Sequence, residues 1–216
     1  MMRTTDFFAL AGIDLVVCAV WLCFLHRASA PGARASMRVI GAVVVVFFVL
    51  WIPLGSSGSA KLPVLGYLRG FFSDFSTTSL VMASLAIGRR LTGAAPIARR
   101  EHAGLFGAIC VASLVLYPTA LGWSNWDAYR LGWYSPLLGA TLAAVALAGV
   151  VAGVRLVPLA VAAAVFTWAA GAMESGNLWD HLLDPWLALL ALYQCGKLTW
   201  RVLSARPIPP APVVSK

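Results

Sequence analysis

Residues 134–173 read YSPLLGATLAAVALAGVVAGVRLVPLAVAAAVFTWAAGAM, forty positions carrying one charge, Arg155. A helix needs about 20 mostly apolar residues to cross the hydrocarbon of a bilayer. No bilayer accommodates a single span twice that long. The stretch therefore reads as two helices joined by a tight turn at Arg155, with Pro158 suited to the first turn of the second. That reading sets the class of the whole chain: an all-α, polytopic membrane bundle.

The same rule applied outward gives seven apolar runs, at residues 7–25, 39–54, 70–88, 103–121, 134–154, 156–173 and 185–203. The second is short for a span. Composition agrees with the class. The chain is 61% hydrophobic and 11% charged over 216 residues, with a mean hydropathy of +0.85. An average soluble domain carries about a quarter charged residues, and a disordered chain needs even more. The sequence is expected to form one transmembrane domain over residues 1–204. Residues 205–216, with four prolines, are expected to be a disordered cytoplasmic tail.

Sixteen Lys and Arg against eight Asp and Glu would suggest a nucleic-acid partner in a soluble protein. In a membrane protein the placement of each sign matters more, because Lys and Arg accumulate in cytoplasmic loops. With the N-terminus outside, twelve of the sixteen basic residues fall on the inner side, among them Arg27, Arg34, Arg38, Arg89, Arg90, Arg99, Arg100 and Arg155. Arg3, Lys61, Arg69 and Arg130 fall outside. Of the acids, Glu101 alone lies inside. The charge map gives N-out, C-in, and no nucleic-acid partner is expected. Positive charge follows the first run instead of preceding it, which is not the order of a signal peptide. The setting expected from size and short loops is a bacterial-type inner (plasma) membrane.

Polar residues inside the membrane are costly and are candidates for function. Asp14 lies about two turns into the first run. Asp74 lies in the third, followed by Ser76, Thr77, Thr78 and Ser79, with Arg69 just outside as a counter-ion for either acid. The bland reading is an ion pair clamping helices, and the functional one is a proton or ion relay.

Two outer loops share a W-D-x5-W pattern: Trp126, Asp127 and Trp133, then Trp179, Asp180 and Trp186. This is a candidate hairpin repeat, set against the composition expected of an aromatic belt. The first loop adds Arg130. The second adds Glu174, Asn177, His181 and Asp184. If residues 176–184 are helical, Asn177, Asp180, His181 and Asp184 share one face, as in an amphipathic turn lying in the interface. Asp184 before Pro185 also fits a helix cap. The cluster Trp126, Asp127, Arg130, Glu174, Asn177, Trp179, Asp180, His181 and Asp184 suits a sugar or lipid head group, or docking of a partner's extracytoplasmic domain. The competing reading is a solvated rim that hydrogen-bonds its own loops.

The four cysteines, Cys18, Cys23, Cys110 and Cys195, lie within the runs and form no CxxC. One outer histidine with carboxylates supports no firm metal site, and no metal or cofactor is expected. No H-E-x-x-H, G-x-S-x-G, P-loop or G-x-G-x-x-G motif occurs. Gly149 and Gly153 stand in G-x-x-x-G spacing, which serves close helix packing within the bundle or against a partner. The expected partners are membrane lipids and another membrane protein. The leading functional expectation is a partner or assembly subunit in cell-envelope lipid or glycan processing or transport. A small enzyme acting on a lipid or lipid-linked substrate, and an ion- or proton-coupled transporter using Asp14 and Asp74, are the alternatives.

Overall fold

The structure is a computed structural model that describes residues 3–27, 33–54 and 61–204. The tail expected at 205–216 lies outside the described residues. The described chain is mostly helical, and nine α-helices and one 3-10 turn follow in order. They are α1 (Thr4–Leu25), α2 (Met37–Leu50), α3 (Val64–Phe72), α4 (Thr77–Thr92), α5 (Arg99–Ala120), the 3-10 turn (Ala128–Gly132), α6 (Pro136–Val151), α7 (Leu156–Ala169), α8 (Leu178–Leu182) and α9 (Pro185–Leu203). A two-residue antiparallel ladder, Pro53–Leu54 with Leu62–Pro63, closes the link between α2 and α3.

The turn expected at Arg155 is present. Chain reversal falls between Val151 and Leu156, where Gly153 takes φ +67°, a left-handed conformation that a side chain would strain. Gly149 serves the same hairpin, because a Cβ there would meet Pro158 Cδ at 3.0 Å and Val157 Cβ at 3.1 Å. The G-x-x-x-G spacing is thus used inside the chain.

The third apolar run differs from its expected single helix. It breaks into α3 and α4 at Ser73, which sits at φ 63°, and Ser76 then caps α4 by accepting the backbone amide of Ser79 at 3.3 Å. A serine hydroxyl satisfying a free first-turn amide starts a helix readily, so Ser73, Asp74 and Ser76 outweigh the apolar run around them.

Two helices, α1 and α5, are long and apolar enough to cross a membrane. α2, α6 and α7 are apolar but have 14, 16 and 14 residues, about 21 to 24 Å at 1.5 Å per residue. α1 and α4 run side by side in the same direction, Gly12 facing Leu80, and α4 also packs against α7. The main core gathers Ile109, Leu138, Ala160, Ala164, Trp179, Leu187 and their neighbours from α5 to α9. A smaller one joins Leu10 and Ile13 to Leu65. Apolar side chains also cover the outside, with Phe48, Val111, Leu147, Val151, Phe166 and Trp200 all well exposed. Asp14, Ser76, Thr78, Asn177, His181 and Asp184 are buried.

Candidate functional site

The polar residues of one end of the bundle form three joined groups. The first centres on Arg69 in α3. Its guanidinium grips Asp74 with two bonds of 2.7 and 3.0 Å, and reaches Asp6 of α1 and Glu174 of the α7–α8 loop at 3.0 Å each. The fork of an arginine matches a carboxylate bidentately, and the hydrogen bond to Asp74 raises the Arg69 pKa above its ordinary value. Three elements are fastened by one cation. Arg69 does not pair with Asp14. Asp14 instead accepts the indole N–H of Trp51 at 2.7 Å and the Cys18 thiol at 3.4 Å, tying α1 to the end of α2.

The second group surrounds Asp184, the residue before α9. One carboxylate oxygen accepts the Leu187 amide at 2.8 Å, so Asp184 caps the helix and Pro185 holds its first position. The other oxygen accepts the Ser76 amide at 3.0 Å, the Ser76 hydroxyl at 2.7 Å and the Ser79 hydroxyl at 2.6 Å. One carboxylate therefore holds the starts of both α4 and α9. Charge at two helix N-termini is electrostatically favourable.

The third group runs through His181. Its Nε2 faces the Ser175 carbonyl at 3.2 Å, which can only accept, so that nitrogen carries the proton. Nδ1 then accepts the Thr167 hydroxyl at 3.0 Å, and Thr167 in turn accepts the Thr77 hydroxyl at 2.6 Å. Burial pushes the His181 pKa down, against the pull of the Ser175 carbonyl and Asp180, which favours the neutral ring. Asp180 accepts the Tyr129 hydroxyl at 2.8 Å and the Ser175 hydroxyl. Burial, then the bond to Asp180, pushes Tyr129 up to about 12. It is a fixed donor and no base. Asn177 caps α8 and donates to the Tyr129 carbonyl at 3.0 Å, while the Trp179 indole donates to the Ala128 carbonyl at 2.9 Å. The two W-D-x5-W loops are thereby sewn together. Gly132 permits it, since a Cβ there would overlap the Asn177 side-chain oxygen.

The structure brings Asn177, Trp179, Asp180, His181 and Asp184 into one end of the fold, with Glu174 joined through Arg69. It leaves Trp126 and Arg130 exposed, while Asp127 accepts the Tyr129 amide at 2.9 Å as the cap of its own turn. The helix expected to lie in the interface is α8, and both its faces are buried: Leu178, Trp179, His181 and Leu182 are each at most 8% exposed. The two W-D-x5-W loops play different parts. Asp127 is a cap, whereas Asp180 sits inside α8 and the cap there is Asn177. Tyr129, Ser175 and Thr167 are the members that sequence reading missed. Thr167 alone had a visible signal, as the one hydroxyl in the run 156–173.

Chemically the arrangement is a satisfied network. His181 has both ring nitrogens engaged and Asp184 both carboxylate oxygens, while Asp180 accepts two hydroxyls through one oxygen. Neither the groove between α1, α2 and α4 nor the one between α6 and α7 is lined by these residues. Among the described residues no group of three or more His, Cys, Asp or Glu converges as metal ligands. No protein-family model matches the chain, and no curated protein or solved structure matches it either.

Proposed function

We propose that the chain is a multi-pass inner-membrane protein, N-terminus outside and C-terminus cytoplasmic, that works as a partner or assembly subunit in cell-envelope lipid or glycan processing or transport. An apolar exterior over buried polar groups supports the membrane setting, since a lipid solvent rewards apolar surface and punishes unsatisfied polar atoms. The seven apolar runs and the twelve inner basic residues supply the topology.

One observation carries the non-catalytic reading. The acid and base candidates Asp180, His181 and Asp184 are spent on the protein's own helix ends and loops. A lipid-acting enzyme needs such a group within reach of substrate. A relay through Asp14 and Asp74 loses support in the same way, one being held by Trp51 and Cys18, the other by Arg69. What the outer end offers to others is the exposed rim of Trp123, Trp126 and Trp133, with Arg130 beside it. Tryptophan and arginine are the residues most enriched at binding hot spots.

Affinity purification of the tagged chain from membranes in mild detergent tests this. A stable complex is expected, weakened by the pair Trp126→Ala and Arg130→Ala. A strictly monomeric species with no partner counts against it.

A further inference from the structure

The groove between α1, α2 and α4 has a volume of about 580 Å³ and a wall of apolar side chains, among them Leu15, Leu22, Val44, Phe47, Leu80 and Leu91. It runs along α1 from Phe8 to Leu22, about 21 Å, against about 15 Å for half of a hydrocarbon core. Its direction is fixed by packing. Gly12 faces Leu80 near one end, and Leu22 and Leu91 line the other.

That second end is strongly basic. Arg34 Nε donates to the Thr92 carbonyl at 2.9 Å and the Ala35 amide to the Arg90 carbonyl at 2.8 Å, which fastens the start of α2 to the end of α4. Residues 22–40 and 86–98 carry Arg27, Arg34, Arg38, Arg89 and Arg90 and contain no Asp or Glu. Two basic side chains there also have a buried nitrogen with no hydrogen-bond partner among the described residues: His26 Nε2, just past α1, and Arg90 Nε, in the last turn of α4. A buried arginine N–H without an acceptor is rare in folded proteins, and His26 Nε2 is a second donor when it carries the ring proton. An anion entering beside them would supply what is missing.

We propose that this groove holds an anionic phospholipid of the cytoplasmic leaflet, its acyl chain along the apolar wall and its phosphodiester among Arg34, Arg90 and His26. The assignment rests on the membrane reading above. A free phosphate would use the basic end and leave the wall empty, and an uncharged lipid would do the reverse. Only the anionic lipid matches both.

The full chain, purified in a neutral detergent, is examined by native mass spectrometry and thermal unfolding with dioleoyl phosphatidylglycerol, dioleoyl phosphatidylcholine or sodium phosphate added. One phosphatidylglycerol is expected to be retained about tenfold or more over phosphatidylcholine, from about 1 kcal/mol per basic residue near an anionic head group. The pair Arg34→Gln and Arg90→Gln should remove that preference, and Val44→Trp, which fills the groove, should lower retention of phosphatidylglycerol. Equal retention of the two lipids, equal stabilisation by phosphate alone, or retention unchanged in Val44→Trp each overturns the proposal. If the arginine pair does not fold, the wild-type head-group preference and Val44→Trp decide. A chain that fails to sediment with membranes removes the membrane reading itself, whereas a membrane-bound chain without lipid preference removes this site alone.

Discussion

His181 is buried and neutral, with both ring nitrogens engaged. Unfolded, an imidazole titrates near 6.5, and in the fold burial holds it lower. The folded state then binds fewer protons across that interval. Its stability is full above about pH 6.5 and falls as the pH is lowered toward the folded value. Melting in detergent should drop between about pH 7 and 5.5, and His181→Gln should flatten the drop. A wild-type melting temperature that is level over this range contradicts the assignment of a neutral, hydrogen-bonded ring. Asp184 offers a larger effect, because its carboxylate accepts four bonds. Asp184→Ala strands buried donors at two helix starts and is expected to cost about 3 kcal/mol or more. Asp184→Asn keeps one oxygen and should fall in between. Gly132→Ala drives a methyl into Asn177 and should cost about 3 kcal/mol by overpacking. Unchanged melting in Asp184→Ala would show that its carboxylate does not hold the starts of α4 and α9, and unchanged melting in Gly132→Ala that the two loops are not sewn together as described.

Among the elements, the break between α3 and α4 is the most local device. Ser73 at φ 63°, ψ −169° sits in a region that is nearly glycine-only and costs about 1–3 kcal/mol for other residues. Ser73→Gly should therefore raise stability by about 1 kcal/mol, read as a higher melting temperature, and a lower one contradicts the backbone assignment. The apolar runs around α1, α5, α6, α7 and α9 were legible because burial in lipid or core needs only composition. The tight turn at Arg155 was legible because a forty-residue span is physically impossible. The α3–α4 break was not, since three polar residues (Ser73, Asp74 and Ser76) inside an apolar run look the same as a kinked helix until Ser76 is seen capping. α8 misled for a different reason. Its polar face pattern is real, but Thr167, Ser175 and Tyr129 receive that face inside the protein, and long-range partners leave no periodicity in the sequence. The acids were legible as scarce and therefore significant. Which bond each accepts was not.

At the scale of the molecule, two chemically different ends emerge. Asp6, Arg69, Asp74, Glu174, Asp180 and Asp184 bind one end together by named bonds. At the other, Glu101 of α5 accepts the Leu156 amide at the α6–α7 turn, close in sequence to Arg99, Arg100 and Arg155. In the proposed topology the excess of eight positive charges is an arrangement between two ends, as the rule for Lys and Arg in cytoplasmic loops requires. Sidedness tests that claim most directly. With Cys18, Cys23, Cys110 and Cys195 replaced by Ala, a single thiol is placed by Ser124→Cys beyond α5 or by Ala95→Cys before it, both at exposed positions. A membrane-impermeant maleimide is then applied to intact spheroplasts and to lysed membranes. Both variants are expected to stay in the carbonate-resistant membrane fraction, with Ser124→Cys labelled in intact spheroplasts and Ala95→Cys labelled only after lysis. Labelling of both from the outside, or extraction of the chain by carbonate, would contradict that claim.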